Sequence, residues 1–235
     1  MNIGNTMFTR TFKPVDFVDI DCRCHKSLQN SFSPFKANVF RMQCGDKNTV
    51  VKDYSHANFF IRATICRLLI KREISALRKL QGIQGVPKLY GFYGKYGFAM
   101  QTIEGFHPDM AFFSDNPPIA KQLERLVEHF HKQGMTHNDL RLNNMIVDKH
   151  GCLFIIDYAA TFNNSHKFNF LGKILSSILQ ITDQAKVIRV LQQSPSFKLT
   201  KSQQNILKKA KRLHILTDLW KSIRKKKTQK AKLVM

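Results

Sequence analysis

Residues 134–158 read GMTHNDLRLNNMIVDKHGCLFIIDY. Three polar groups stand in it at fixed intervals: Asp139, Asn144 and Asp157. The first two fall in a polar turn from His137 to Asn144. Two apolar runs follow, Met145 to Val147 and Cys152 to Ile156, separated by Asp148-Lys149-His150-Gly151. Short apolar runs joined by a Gly-containing turn predict a β-hairpin. The hairpin brings Asn144, at the entry of one strand, to the same side as Asp157, at the exit of the other. An amide and a carboxylate presented together are hard oxygen ligands suited to Mg²⁺ and its phosphates. Asp139 lies beside them as a proton acceptor. A hairpin with solvated turn residues explains one such acid, but not this spacing between two apolar strands.

HNDLRLNN…FIIDY resembles the catalytic loop and metal-binding strand of the protein-kinase-like superfamily, H-R-D-L-x-x-x-N followed by D-F-G. The resemblance implies that Asp139 is the catalytic base and that Asn144 and Asp157 hold the metal ions. Arg141 stands where protein kinases carry a Lys near the transferred phosphate. ATP and Mg²⁺ are the implied cofactors. The implied fold is α+β and two-lobed, with a small β-rich N-lobe over 1–103 and a minimal helical C-lobe over 104–200. A basic amphipathic helix and tail occupy 201–235.

Composition narrows the partners. The 235 residues are 43% hydrophobic, as in a globular protein, and no apolar run reaches the ~18 residues that read as a membrane span. The first residues lack the apolar segment of a secretory signal, which predicts a cytoplasmic protein. Five cysteines without disulfide-framework spacing read as free thiols. Cys22, Cys24 and His25 are close in sequence but lack a second pair of zinc ligands. The formal net charge of +22 calls for an anionic partner. Nucleic acid, an anionic membrane surface and a phosphorylated or carboxylated substrate all qualify. A cationic substrate does not, which counts against the aminoglycoside-kinase branch.

Before the central motif, Val15 to Ile20 reads weakly as a strand. Asn38 to Met42 and Thr49 to Lys52 form a second predicted hairpin around Gly45-Asp46. The loop before it, Gln29 to Phe35, is polar and lacks the G-x-G-x-x-G of typical kinases. Val50-Val51-Lys52 resembles the V-A-I-K element, which assigns Lys52 to the nucleotide's α- and β-phosphates. From Phe59 to Leu80 apolar residues recur at helical spacing, with Leu69, Leu77 and Leu80 on one stripe. Glu73 falls on that stripe, and a carboxylate facing a core is costly unless paired. Lys52 is its predicted partner, with Lys71 and Arg72 as the local alternative. After Gly82 and Gly85-Val86-Pro87, strands are expected over Lys88 to Gly94 and Gly97 to Gly105. Met100 to Gly105 resembles the hinge between kinase lobes. It assigns the backbone of Gln101 to Ile103 to the adenine and Glu104 to the ribose.

Beyond the hinge, Pro117-Pro118 opens an amphipathic helix, Ile119 to Lys132, with Leu123, Leu126, Val127 and Phe130 inward. Gly134 ends it. His137 reads as a packing and hydrogen-bonding member of the loop. Asp157-Tyr158-Ala159 lacks the Gly of D-F-G and with it a flexible switch. The 78 residues after Asp157 contain no A-P-E, which reads as a minimal kinase. Helices are expected over Phe168 to Leu179 and Gln184 to Leu191. A long terminal helix is capped near Thr200. Between Lys201 and Lys232 there are twelve Lys or Arg and one acid, Asp218. With Leu213, Leu216, Leu219, Trp220 and Ile223 interleaved, that segment reads as a membrane-surface element. An RNA contact is less favoured, for want of stacking aromatics.

The segments KREISALRKL and GVPKLYG, the H-N-D-L motif and the short basic C-lobe resemble bacterial lipopolysaccharide core (Kdo and heptose) kinases and RIO-type kinases over roughly 38–225. That resemblance implies γ-phosphoryl transfer from Mg-ATP to a core sugar of a glycolipid on the cytoplasmic face of the inner membrane. A RIO-like protein serine/threonine kinase is the alternative. A non-catalytic kinase-like scaffold is the third.

Overall fold

The computed structural model describes residues 22–30, 33, 35–44, 47–164 and 170–215. The expected strand at 15–20, the Gly45-Asp46 turn, Asp218 and the tail beyond residue 215 lie outside them. The chain divides into two compact units. One comprises Met1–Ile74 and Lys88–Thr102, the other Ser75–Pro87 and Ile103–Met235.

The first unit is built on an antiparallel five-stranded sheet: β1 (Cys22–Gln29), β2 (Asn38–Cys44), β3 (Lys47–Asp53), β4 (Leu89–Tyr93) and β5 (Gly97–Gln101). The strand order is β1-β2-β3-β5-β4. The predicted β2–β3 hairpin forms, with Phe40 opposite Val51 and Val39 opposite Lys52. Strand β1 is an addition: its polar, Cys- and Lys-containing sequence carries no apolar alternation. The second hinge-side strand stops at Gln101 rather than Gly105, because Gly105–Phe106 pairs elsewhere. Met42, Val51 and Ala99 form a buried cluster, with Phe40, Tyr90 and Tyr93 packed against it. The expected long helix forms as α1 (Phe59–Ile61), a wide π-turn (Arg62–Cys66) and α2 (Arg67–Lys79). Asn58 caps its start by accepting from the Ile61 N–H at 3.1 Å. Of the predicted stripe, Leu77, Leu80 and Glu73 are buried, whereas Leu69 is only half-buried.

In the second unit, α3 (Met110–Asp115) is capped by the Asp109 carboxylate, and α4 spans Pro117–Lys132. Pro117 and Pro118 occupy the first helical positions, where a missing N–H costs nothing. Ile119, Leu123, Leu126, Val127 and Phe130 are buried at helical spacing. Gly134 (φ 68°) lets the chain leave the helix. A three-stranded antiparallel sheet follows in the order β6 (Gly105–Phe106), β8 (Met145–Asp148), β9 (Leu153–Ile155). Strand β7 (Met135–Thr136) pairs with β10 (Phe162–Asn163). Gly105 must be glycine, since a Cβ there would collide with the Val147 carbonyl.

One helix, α5 (Phe170–Leu191), replaces the two expected over Phe168–Leu179 and Gln184–Leu191. No Gly or Pro interrupts Gln180 to Asp183, and Asp183 turns inward rather than ending the helix. A sixth helix, α6, covers 201–215. It begins with a capping box: Thr200 Oγ1 accepts from Gln203 N–H at 3.2 Å, and Gln203 Oε1 accepts from Thr200 N–H at 3.0 Å. No helix among the described residues is long and apolar enough to cross a membrane.

Candidate active site

The hairpin expected over the central motif is β8–β9, with Met145 opposite Ile155 and Val147 opposite Leu153. Asp148 closes its turn by accepting from the N–H groups of His150 and Cys152, both at 2.9 Å. At the other end the ladder continues for one more step, where Ile156 N–H donates to Asn144 C=O at 2.8 Å. Asn144 and Asp157 therefore flank the same end of the hairpin. A short 3₁₀ turn, Leu142–Asn144, leads the chain into β8.

Asn144 is oriented by Asp139. Its Nδ2 donates to the Asp139 C=O at 2.9 Å and to Asp139 Oδ2 at 3.0 Å. Both bonds use the amide nitrogen, so the amide oxygen is the atom left to act as a ligand. Asp157 adds a carboxylate from a left-handed backbone (φ 65°). Aspartate occupies that region at a cost of order 1–3 kcal/mol, which is tolerated mostly at functional positions. One amide oxygen and one carboxylate are the kind of set Mg²⁺ accepts when phosphates and water complete its octahedron. The residues present fit the implied metal.

Arg141 Nη2 donates to Asp139 Oδ2 at 2.5 Å. That bond holds the guanidinium pKa above its ordinary value. The arginine is largely exposed while Asp139 is mostly covered. Arg141 and Asn144 both engage Oδ2, so Oδ1 of Asp139 lies outside both bonds.

The loop is anchored by a residue that the sequence reading did not single out. Asp183, fully buried on α5, accepts from the backbone N–H of His137 at 2.7 Å and of Asn138 at 3.0 Å. His131 Nε2 stands 3.5 Å from the same carboxylate. Charge-assisted bonds to two successive N–H groups fix the loop strongly. Asn138 is itself left-handed (φ 66°), with its Nδ2 donating to Ala160 C=O at 2.9 Å and Lys186 Nζ donating to its own carbonyl at 3.2 Å. A signal for Asp183 existed in the sequence. It lies on a helical stripe with Ser176, Val187 and Val190, all buried, the pattern that marked Glu73.

His137 packs as expected, in contact with the rings of Phe130 (6.4 Å, stacked) and Tyr158 (5.3 Å, edge-on). Its hydrogen bonding runs through the backbone N–H to Asp183, while neither ring nitrogen makes a well-formed hydrogen bond. Burial pushes the imidazole below its usual range, against the pull of Asp183, Asp157, Asp139 and the Ile156 backbone. That burial favours its neutral form. Tyr158 is fully buried, donates to Ile155 C=O at 2.9 Å, and is pushed far above the normal phenol range by burial.

In the first unit Lys52 Nζ lies 2.6 Å from Glu73 Oε2, with Tyr54 Oη 3.4 Å from Oε1. The predicted strand-to-helix ion pair is present, and Lys71 and Arg72 are both exposed. The hinge assignments fare differently. The Gln101 N–H donates to Lys88 C=O at 2.8 Å and the Thr102 N–H to Asn48 C=O at 3.2 Å, so neither is available to an adenine. The Gln101 side chain accepts from Lys88 N–H at 3.2 Å. Ile103 lies just past the strand, half-buried, and Glu104 is exposed.

No family model matches the chain. Two curated proteins are similar to parts of it. One is CBL-interacting serine/threonine-protein kinase 15 of Arabidopsis thaliana, 32% identical over 97 residues, 38% of this chain and 23% of that protein. The other is serine/threonine-protein kinase PSK2 of Saccharomyces cerevisiae, 38% identical over 56 residues, 23% of this chain and 5% of that protein. The chain thus spans less than a quarter of the length of either relative, and the similarity is a partial, protein-kinase-like one. Neither name points to the lipopolysaccharide or RIO-type branches.

Proposed function

We propose that this chain is an ATP-dependent phosphotransferase that moves the γ-phosphoryl group of Mg-ATP to a hydroxyl. The observation that supports it most is the arrangement of Asp139, Asn144 and Asp157. An amide is held nitrogen-first on one carboxylate, so that its oxygen and a second carboxylate share one end of a hairpin. In this reading Asn144 and Asp157 bind the metal, which neutralises charge on the phosphates. Asp139 Oδ1 accepts the proton of the attacking hydroxyl, and Asp183 holds the loop from which it does so. Arg141 sets the orientation of the Asp139 carboxylate and offsets charge on the moving group. In the first unit, Lys52, paired with Glu73, is the cation that the resemblance assigns to nucleotide phosphates.

Two acceptors are supported by different observations. The partial similarity to serine/threonine kinases favours a protein hydroxyl. The net charge of +22 favours an anionic acceptor such as a core sugar of lipopolysaccharide at a membrane surface. Incubation with γ-labelled ATP, Mg²⁺ and bacterial membranes, followed by separation of lipid from protein, distinguishes them. Label in protein selects the first and label in glycolipid the second. ATP binding with no transfer to either leaves a nucleotide-binding scaffold and overturns the proposal.

A further inference from the structure

The start of the α1–α2 helical segment bears a patch that phosphoryl transfer does not use. Phe59 and Phe60 are 65% and 79% exposed, with their rings edge-on at 5.7 Å, and Leu68 is 57% exposed two turns further on. Large apolar side chains this exposed, side by side, are costly in water unless something covers them. The adjoining charges are all of one sign. From Tyr54 to Arg72 the sequence contains Arg62, Arg67, Lys71 and Arg72 and no Asp or Glu.

Three cations, two of them on the same helical segment as the phenylalanines, converge on one ring. The Arg62 guanidinium lies 4.8 Å from the centre of the Tyr96 ring, that of Arg67 5.6 Å and Lys95 Nζ 5.8 Å. The ring face offsets part of their mutual repulsion. Among the described residues no carboxylate pairs with any of the three. Arg62 spends one nitrogen on Ser55 C=O at 2.8 Å, while its buried Nε has no hydrogen-bond partner. Like charges gathered without a counter-ion are relieved by an anion.

We propose that this face docks on an anionic lipid surface, with Phe59 and Phe60 entering the headgroup–acyl boundary and Arg62, Arg67 and Lys95 taking lipid phosphates. An aromatic pair on one side and a gathered set of cations on the other are the two components of interfacial binding. A soluble acidic protein or an RNA would also meet the cations, but the aliphatic Leu68, exposed with the two phenylalanines, favours a lipid boundary over stacked bases. The inference does not depend on the reaction or on the basic C-terminal tail.

The test is sedimentation of the full chain with vesicles of phosphatidylcholine, with and without phosphatidylglycerol. The intact protein is expected to bind only the anionic vesicles. Arg67→Gln with Lys95→Gln is expected to weaken that binding about 25-fold, at about fivefold per cation. Phe59→Ser with Phe60→Ser is expected to weaken it about tenfold while leaving the circular dichroism spectrum unchanged. In a Trp220→Phe background, Phe60→Trp should be quenched by brominated lipid. Undiminished binding by either double variant would overturn the proposal. So would an unquenched Trp at position 60 in bound protein, since the chain would then be docking elsewhere. Retention of RNA without binding to anionic vesicles would overturn it as well.

Discussion

At the scale of single residues, the candidate site is a chain of acceptors in which each fixes the next. Asp183 fixes the backbone at His137 and Asn138, the loop presents Asp139, and Asp139 orients Asn144. Replacing Asp139 by Asn preserves shape but removes the proton acceptor. Transfer is expected to fall by about 100- to 10,000-fold with nucleotide affinity little changed, which single-turnover kinetics and a binding titration would separate. Asp183→Asn puts an NH₂ group where one of two backbone donors now points. The expected cost is about 3 kcal/mol in denaturant unfolding, as for breaking a buried charged contact. His137 carries a pH effect. Its folded pKa is depressed, so the stability due to its neutral form is fully present above the unfolded value of about 6.5 and is lost as pH falls below it. Unfolding midpoints compared at about pH 5 and pH 8 should show this loss, and His137→Phe should remove it while keeping the packing on Phe130 and Tyr158.

At the scale of elements, the β3–α2 ion pair and the α6 cap each make a separable contribution. Glu73 is 1% exposed, so Lys52→Met, which takes away its partner cation, should cost about 3–5 kcal/mol. Lys52→Met with Glu73→Leu should recover much of that, which a double-mutant cycle on denaturant unfolding would measure. Thr200→Ala opens the α6 capping box and should cost about 1 kcal/mol by the same measurement. The sequence made Glu73 legible because an acid on an apolar stripe demands a partner. It made β8–β9 legible because two apolar runs flank a Gly turn. The same reasoning applied to residues 176–190 would have found Asp183. Two helices over Phe168 to Leu179 and Gln184 to Leu191 instead leave Asp183 in the gap between them. Strand β1 has no pattern to read, since its pairing with β2 is set by backbone bonds rather than by apolar alternation. The hinge was placed by position alone, and the N–H groups of Gln101 and Thr102 donate to Lys88 and Asn48.

At the scale of the whole molecule, the excess of Lys and Arg over Asp and Glu makes every association with an anionic partner dependent on salt. Binding to an acidic acceptor or surface should weaken steeply as ionic strength rises, while folding stability should not. That charge was plain in the sequence, but the acceptor is not contained in charge or in fold. The central claim is phosphoryl transfer carried by Asp139, Asn144 and Asp157. Its most direct test is release of label from γ-labelled ATP to any hydroxyl acceptor by the intact chain, beside Asp139→Asn and Asp157→Asn. Mg²⁺-dependent transfer by the parent, abolished in both variants while each remains folded, is the expected result. Transfer that survives either substitution, or no transfer by a parent chain that binds ATP, would contradict it.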